Sequence, residues 1–416
     1  MKPYRLVLGL ALLSAPVAIP VAAHAAESLA SILTNADMTA VPDRRPSIIF
    51  IQCHGLGYGD LSCYGQTNYQ TPNLDRLATE GIRFTNFRPD STNFNTALTS
   101  LVYGKNSGPA AAPSIASRLQ TVGYHTGLIG EWTLDDHPWT DGFDEFGGFL
   151  NPEDGRNYFA DTLWRFDPRN TYDLATHEWV ELKPGMAHNG GPRMLYYNTG
   201  GQHSEYLPEL FFNMTCNFLH DNQPDEFNHY KPVFLVVDLP QPRSASSAAD
   251  EFPVPSDAPF TGENWPQAAK DRASLITRLD GGIGRVLTRL ADLHLTNNVA
   301  IFISSSGAPE KFKDPKMNFI SPNGAAVAGE NGAPAPLPMI VWYPSEIPAG
   351  QVSNFKWNSA DFPRTALQIG YVKPPKELGG MSILPVLRGQ KGPDVDLPAP
   401  DRTFPPSGFG PRGTTR

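Results

Sequence analysis

Histidines and cysteines, which often carry acid–base or metal chemistry, are scattered in this chain. Three histidines, His137, His188 and His203, lie in stretches whose composition predicts loops. They could serve a hydrolase, although single loop histidines are usually solvated surface residues. The chain also has three cysteines, whose spacing fits no zinc-binding motif. Neither set by itself predicts a catalytic or metal centre.

A glycine-rich turn follows the first buried apolar run. Ser47–Gln52 is rich in isoleucine and is bounded by Pro46 and by glycines, which predicts a strand buried on both faces of a sheet. Gly55, Gly57 and Gly59 free the backbone for a tight loop at the carboxyl end of that strand. Open α/β sheets bind their ligands at this edge, so any functional site is expected there.

Two specific segments follow that strand. Gly57–Leu61 reads GYGDL, and Thr71–Ala78 reads TPNLDRLA. Together they resemble the N-terminal motif of the sulfatase family, a branch of the alkaline-phosphatase superfamily, and residues 139–149 and 159–164 resemble sulfatase segments as well. The resemblance implies a mainly parallel central sheet with helices on both faces. It also implies a site with Ca²⁺ and a formylglycine made from a cysteine or serine.

The positions where the family carries its nucleophile and its sulfate contacts hold other residues here. Aligned through its flanking residues, the formylglycine motif has Phe94 in place of the cysteine and Leu98 in place of the arginine. The family's G-K-W-H-L segment reads G-E-W-T-L, so Glu131 replaces a lysine and Thr133 a histidine. Arg243 replaces the histidine of a later proline–histidine pair and is the one positive residue expected to remain.

The calcium ligands of the family are replaced in the same way. The resemblance aligns its first two aspartates with His54 and Gly55, and two further ligands with Ser305 and Ser306. Hydroxyls are poor ligands for a hard divalent cation, and one histidine does not make a calcium site. We therefore predict no catalytic residue, no metal ligand and no cofactor, neither Ca²⁺ nor formylglycine.

Apolar runs alternate with helical patterns along the rest of the chain, which predicts an α/β fold with a mainly parallel sheet. Further strands are predicted at 124–130, 232–239, 299–303 and 338–342, and helices at 110–121, 207–219, 271–295 and 361–369. The polar stretch 165–202 predicts surface loops or a small antiparallel insert. One sulfatase-like domain is expected over residues 45–389.

The two ends of the chain carry different signals. Lys2 and Arg5 precede an apolar run that ends in small residues, which is typical of a secretory signal peptide over residues 1–25. An uncleaved membrane anchor is the alternative, and two prolines in the run disfavour it. An exported protein, periplasmic or secreted, with no later transmembrane segment is predicted. Residues 390–416 predict a disordered tail, and the family's small C-terminal sheet is expected to be missing or truncated.

Charge and composition restrict the partners. The net charge is −9, and no cluster of lysine and arginine indicates a nucleic-acid partner. One hypothesis is an inactive sulfatase homologue that binds a glycan or a protein in a neutral, partly apolar cleft lined by Phe94, Leu98, Trp132 and serines. The alternative is a sulfuric ester hydrolase, or a related hydrolase, with relocated catalytic groups. Two or more Asp, Glu or His side chains converging at the strand ends would favour this alternative.

Overall fold

The computed structural model describes residues 45–88, 94–104, 113–246, 249–309, 311–320 and 336–390. The predicted signal peptide and all but the first residue of the predicted C-terminal tail lie outside these ranges. The strands are β1 (Ser47–His54), β2 (Ile82–Phe87), β3 (His125–Glu131), β4 (Glu145–Phe149), β5 (Thr162–Phe166), β6 (Asn170–Asp173), β7 (Glu178–Glu181), β8 (Gly191–Met194), β9 (Val233–Pro242), β10 (Val299–Ser305), β11 (Leu337–Trp342) and β12 (Gln351–Ser353).

Helices connect these strands. The α-helices are α1 (Pro72–Glu80), α2 (Phe94–Tyr103), α3 (Ile115–Gln120), α4 (Leu207–Asp221), α5 (Gln267–Asp292), α6 (Phe362–Ile369) and α7 (Leu384–Leu387). Short 3₁₀ segments cover Tyr58–Asp60, Ser62–Tyr64, Pro138–Thr140, Asp154–Arg156, Tyr196–Gly201, Pro315–Met317 and Ser359–Asp361. Within the described ranges, no helix is both long enough and apolar enough to cross a membrane.

Ten of the described strands form one sheet in the order β12-β2-β11-β10-β1-β9-β3-β4-β5-β8. The central strands β10, β1, β9, β3 and β4 run parallel to one another. Antiparallel strands, β11 on one side and β5 on the other, flank this block. The predicted mainly parallel sheet is therefore confirmed, with antiparallel additions at both sides. Strands β6 and β7 pair only with each other, and they form the small antiparallel insert expected within 165–202.

Helices cover both faces of the sheet, as predicted. Every residue of β1 is buried, and its side chains alternate between two apolar clusters. Ile49 and Ile51 belong to the cluster that contains buried residues of α1, α4 and α5. Ile48 and Phe50 belong to the cluster that contains buried residues of α2, α3 and α6. A strand buried on both faces explains why the run reads as continuous apolar sequence.

Helix α5 is the longest described helix, and it links β9 to β10. Its buried positions include Leu275, Leu279, Ile283, Val286 and Leu290, which recur every three or four residues and form one apolar stripe. It starts four residues before the predicted helix and ends at Asp292. Since β9 and β10 are parallel, α5 returns the chain from the carboxyl edge of the sheet to the opposite edge. Its first turns therefore lie near the strand ends that carry the site.

Gly55 turns the chain sharply at the carboxyl end of β1. Its φ of 81° lies in the left-handed region that favours glycine. The predicted tight loop after the first strand is therefore confirmed, and it leaves His54, the last residue of β1, at the edge of the sheet.

Candidate functional site

Three ionisable side chains meet at the carboxyl ends of neighbouring parallel strands. His54 ends β1, Glu131 ends β3 and Asp238 lies in β9. His54 Nε2 is 3.0 Å from Asp238 Oδ1, and His54 Nδ1 is 3.2 Å from Glu131 Oε2. At most 1% of any of these residues is exposed. With Arg243, described next, they make up what we call the strand-end cluster.

Arg243 completes this cluster from the end of β9. Its Nη2 atom lies 3.3 and 3.4 Å from the two carboxylate oxygens of Glu131. The same atom donates a hydrogen bond to the Pro152 carbonyl at 2.9 Å. By the resemblance, Glu131 stands where the family has a lysine and Arg243 where it has a histidine. Glu131 and Arg243 are therefore ion-pair partners. The negative charge at one replaced position is compensated by the positive charge at the other.

A second buried ion pair lies beside the strand-end cluster. Arg272, in the first turns of α5, donates to Asp60 Oδ2 at 2.7 Å. It also donates to the backbone carbonyls of Gly55 at 3.2 Å and Pro242 at 3.0 Å. Arg272 is 1% exposed and Asp60 is fully buried. The prediction that Arg243 is the one positive residue left at this edge is therefore wrong.

The space between the two arginines is small. Arg243 and Arg272 line a cavity of about 20 Å³, which is room for about one water molecule. Phe252 and Phe312 also line it, and their ring centroids lie 5.1 and 5.4 Å from the Arg272 guanidinium. Sites for drug-sized ligands usually measure about 300–1,000 Å³. Among the described residues, this cavity therefore has no room for a sulfated sugar.

The electrostatics of the strand-end cluster favour a charged histidine. Burial by itself lowers the pKa of His54, but the carboxylates of Asp238 and Glu131 outweigh it, so the pKa is raised although Arg243 opposes the rise. Each ring nitrogen faces a carboxylate oxygen, and only the protonated ring can donate from both. Burial also raises the pKa of Glu131, with the cations His54 and Arg243 opposing it.

The residues at the predicted lost ligand positions do not fit a calcium ion. Both nitrogens of His54 already face carboxylates, and Gly55 has no side chain. The Ser305 hydroxyl donates to the Gly307 carbonyl at 2.7 Å, and Ser306 Oγ lies 3.4 Å from another backbone carbonyl. Calcium takes six to eight oxygen ligands, several of them carboxylates. In the described part of the chain, no group of three or more His, Cys, Asp or Glu residues is arranged to hold a metal ion.

The other predicted pocket positions do not converge on the strand ends. Leu98 and Trp132 are buried within the apolar cluster of α2, α3 and α6, because α2 turns its apolar side toward the sheet. The prediction that they line a neutral, partly apolar cleft is wrong, since the described side chains that meet at this edge are charged. Phe94 starts α2, and its side chain lies outside the described residues. Thr133 is partly buried, two residues after Glu131.

The loop histidines do not join the strand-end cluster either. All three are exposed, and each packs against an aromatic ring. The pairs and centroid distances are His137 with Trp139 at 4.5 Å, His188 with Phe166 at 4.1 Å, and His203 with Phe159 at 4.5 Å. They are therefore surface residues in aromatic contacts, and they show no shared catalytic geometry.

Sequence reasoning missed Asp238 and Arg272, although each carried a signal. Asp238 is an acid inside the otherwise apolar run Val233–Leu239, and a charged residue within a fully buried strand needs a buried partner. Arg272 lies three residues before Leu275, on the buried stripe of α5. A charge on an apolar stripe indicates an ion pair in the same way.

Comparison with known proteins identifies the family. A sequence profile described as Sulfatase matches residues 46–370, which is most of the chain. The chain belongs to the sulfatase family.

This sulfatase-family chain has named relatives in animals and bacteria. It is 25% identical over 413 residues to the N-acetylgalactosamine-6-sulfatase of Canis lupus familiaris, a match that covers 89% of this chain and 71% of that protein. It is 26% identical to the N-acetylgalactosamine-6-O-sulfatase of Bacteroides thetaiotaomicron, covering 73% of this chain and 68% of that protein.

Solved structures agree on the fold. The PsFucS1 sulfatase from Pseudoalteromonas sp. matches with a TM-score of 0.63 and 19% identity, covering 88% of this chain and 77% of that one. Ps i-CgsB, solved in complex with k-i-k-neocarrahexaose, matches with a TM-score of 0.61 and 21% identity, covering 82% and 76%. At these identities the likeness establishes the sulfatase fold and leaves the chemistry to the residues of this chain.

Proposed function

We propose that this chain is a non-hydrolytic member of the sulfatase family that is exported and acts by binding a glycan. The observation that carries the proposal is the strand-end cluster. Its cations already face its own anions: Arg243 lies 3.3 Å from Glu131, and His54 lies 3.0 Å from Asp238. A sulfate ester is itself an anion, and its hydrolysis needs cations aimed at the developing charge. These cations are already paired with carboxylates of the protein itself.

A sulfate group at this edge would also meet unfavourable charges. Glu131 and Asp238 would repel it, and recruiting Arg243 would leave the Glu131 carboxylate with only His54 for compensation. Breaking a buried ion pair by removing one partner costs about 3–5 kcal/mol. The sequence adds that Phe94 stands at the formylglycine position, and phenylalanine cannot be converted to that nucleophile.

The relatives support a glycan as the ligand class. The dog and Bacteroides proteins are named for a sulfated amino sugar, N-acetylgalactosamine with a 6-sulfate. One solved neighbour carries an oligosaccharide in its title. A chain that keeps this fold without free catalytic cations is suited to binding such glycans without cleaving them, at a surface other than the small strand-end cavity.

A relocated hydrolase is the second candidate, and one observation favours it. His54 between two carboxylates is the kind of Asp, Glu and His convergence that an alternative catalytic site would need. The burial of this cluster weighs against it, because His54 is only 1% exposed and both of its nitrogens are engaged. A general base must come within hydrogen-bond reach of its substrate, directly or through one water.

A turnover assay on the full chain tests the proposal. With 4-methylumbelliferyl sulfate and with N-acetylgalactosamine 6-sulfate, each with and without added Ca²⁺, we expect no hydrolysis above the uncatalysed background. Glu131→Gln and His54→Gln are the matched variants, because each removes one member of the strand-end cluster. Turnover by the wild type that either variant abolishes would establish the relocated hydrolase instead.

A further inference from the structure

A second charged region lies between α4 and α5, which pack on the same face of the sheet. The two helices border an open groove of about 720 Å³, lined by Arg285, Arg289, Asn213, Asn217 and Thr288 among others. We call it the α4–α5 groove. We propose that it binds a sulfated glycan, with Arg285 and Arg289 holding the sulfate groups.

The two arginines carry charge that the described protein does not neutralise. Four residues apart on α5, they project from the same face, where like charges repel each other mildly. Within the described ranges, no carboxylate lies within ion-pair distance of either one. Asp292 also lines the groove without pairing with them. Arg278, on the same helix, instead lies 2.6 Å from Glu209.

An aromatic contact helps to order the first of these arginines. The Arg285 guanidinium lies 5.9 Å from the ring centroid of Phe212, close enough for a cation–π contact. Cys216, on α4, lines the groove together with Arg289. Side chains that are already ordered lose less conformational entropy when a ligand binds.

The chemistry of the lining selects the ligand class. Guanidinium forks match the oxygens of a sulfate, and two of them one helical turn apart suit a ligand with more than one anionic group. The amides of Asn213 and Asn217 and the Thr288 hydroxyl offer both donors and acceptors, which sugar hydroxyls require. The volume of about 720 Å³ lies within the range of small-molecule sites and far exceeds what a free anion needs. A nucleic acid or a membrane would need a broader basic surface than a chain of net charge −9 presents here.

The groove is separate from the strand-end cluster. Arg272 marks that edge on α5, and Arg285 lies about 20 Å farther along the same helix, since an α-helix rises about 1.5 Å per residue. The inference rests on the proposed function for its ligand class, a glycan, and adds to it a binding site that is separate from the strand ends. Glycan capture here does not depend on whether the strand ends hydrolyse anything.

Calorimetric titration of the full chain with a 6-O-sulfated chondroitin hexasaccharide tests the groove. We expect binding that weakens as salt rises, because exposed charges are screened. Arg285→Ala and Arg289→Ala should each weaken binding by about fivefold. Arg278→Ala is the matched control on the same helix, and it should bind like the wild type because Glu209 already neutralises Arg278. Arg285→Lys with Arg289→Lys should keep part of the affinity, which separates a charge effect from misfolding.

Further arms define the ligand. The unsulfated hexasaccharide should bind at least about tenfold more weakly, because the guanidinium groups would lose the sulfates and keep only the uronate carboxylates as anionic partners. Inorganic sulfate at the same concentration should not displace the hexasaccharide. Four results would each overturn the proposal: no binding by the wild-type protein, an equal loss in Arg278→Ala, full binding when Arg285→Ala and Arg289→Ala are combined, or equal binding of the unsulfated sugar. Hydrolysis of the same hexasaccharide, followed in parallel, reports on the strand-end cluster independently.

Discussion

Two pairs of arginines on this molecule show how burial decides what a cation can do. Arg243 and Arg272 are buried at the strand ends, and each contacts a carboxylate within 3.4 Å. Arg285 and Arg289 line an open groove, and among the described residues neither has a carboxylate partner. A buried charge must be paired because desolvation is costly, whereas an exposed charge is stable alone in water. The first pair is therefore committed to carboxylate partners within the fold, and the second is available to a ligand.

The comparison also changes how the replaced family positions are understood. By the resemblance, each replacement taken alone is a loss, since Glu131 stands where the family has a lysine and Arg243 where it has a histidine. In the structure the two residues meet, and His54, which stands at a lost calcium position, lies against Glu131 as well. The charges of the strand-end cluster are balanced by its own side chains.

Breaking the buried pair should have the largest effect. Arg243→Met leaves Glu131 buried with only His54 for compensation, and we expect a loss of about 3–5 kcal/mol in the free energy of unfolding. Urea denaturation measures it. The double variant Glu131→Gln with Arg243→Met should lose less than the sum of the two single variants, because the contact disappears only once.

The exposed pair provides the control for that experiment. Arg285 lines the open groove. The variant Arg285→Met should therefore change the free energy of unfolding by no more than about 0.5 kcal/mol. An equally large loss in Arg285→Met, or strict additivity between Glu131 and Arg243, would contradict the contrast between a structural and an available arginine pair.

The pH dependence of stability should reveal His54, with a smaller effect. Its pKa is raised in the folded protein, so the folded state holds the proton more tightly than the unfolded chain does. The stabilisation is complete below about pH 6.5, the ordinary histidine value, and is lost as the pH rises through the folded pKa. We therefore expect wild-type stability to fall over that window.

The variant His54→Gln isolates this contribution. Its denaturation curves between pH 5 and 9 should lack the part of the decline that belongs to His54. Titrating groups outside the strand-end cluster act equally in both proteins, whereas Glu131 loses the cation that His54 supplies. Parallel curves for wild type and variant across this window would show that His54 does not carry the raised pKa.

Added calcium should not change the melting temperature. An ion that binds only the folded state at a hundredfold excess over its Kd adds about 2.7 kcal/mol of stability. The donors at His54, Ser305 and Ser306 are engaged within the protein, so we expect superimposable melting curves in millimolar Ca²⁺ and in chelator. A metal-dependent rise in Tm that His54→Ala abolishes would show that the strand-end cluster holds a metal.

The fold could be predicted from sequence because its signals are local. The isoleucine run identifies β1 from a few consecutive residues, and the apolar stripe identifies α5 from residues on neighbouring helical turns. The turn at Gly55 was equally visible. Element ends moved by a few residues, as with α5, since capping and tertiary contacts decide where a helix stops.

The strand-end cluster could not be predicted because its contacts are distant in sequence. Glu131 and Arg243 are 112 residues apart, and Asp60 and Arg272 are 212 apart. Each substitution therefore appeared as an isolated loss. The groove is a different case: Arg285 and Arg289 do not form a run in the sequence, but helical spacing alone would have placed them on one face.

The distant partners in the two ion-pair groups also bear on how the chain folds. His54 and Asp238 are separated by 184 residues, so their contact forms only when β1 and β9 lie side by side. Contacts between residues so far apart require closure of long loops and slow the search for the native state. A half-assembled sheet would bury one partner's charge before the other arrives, at a cost in desolvation. Intermediates with a partly closed carboxyl edge are thereby disfavoured, and the last strands should dock together with their charges in a single cooperative step.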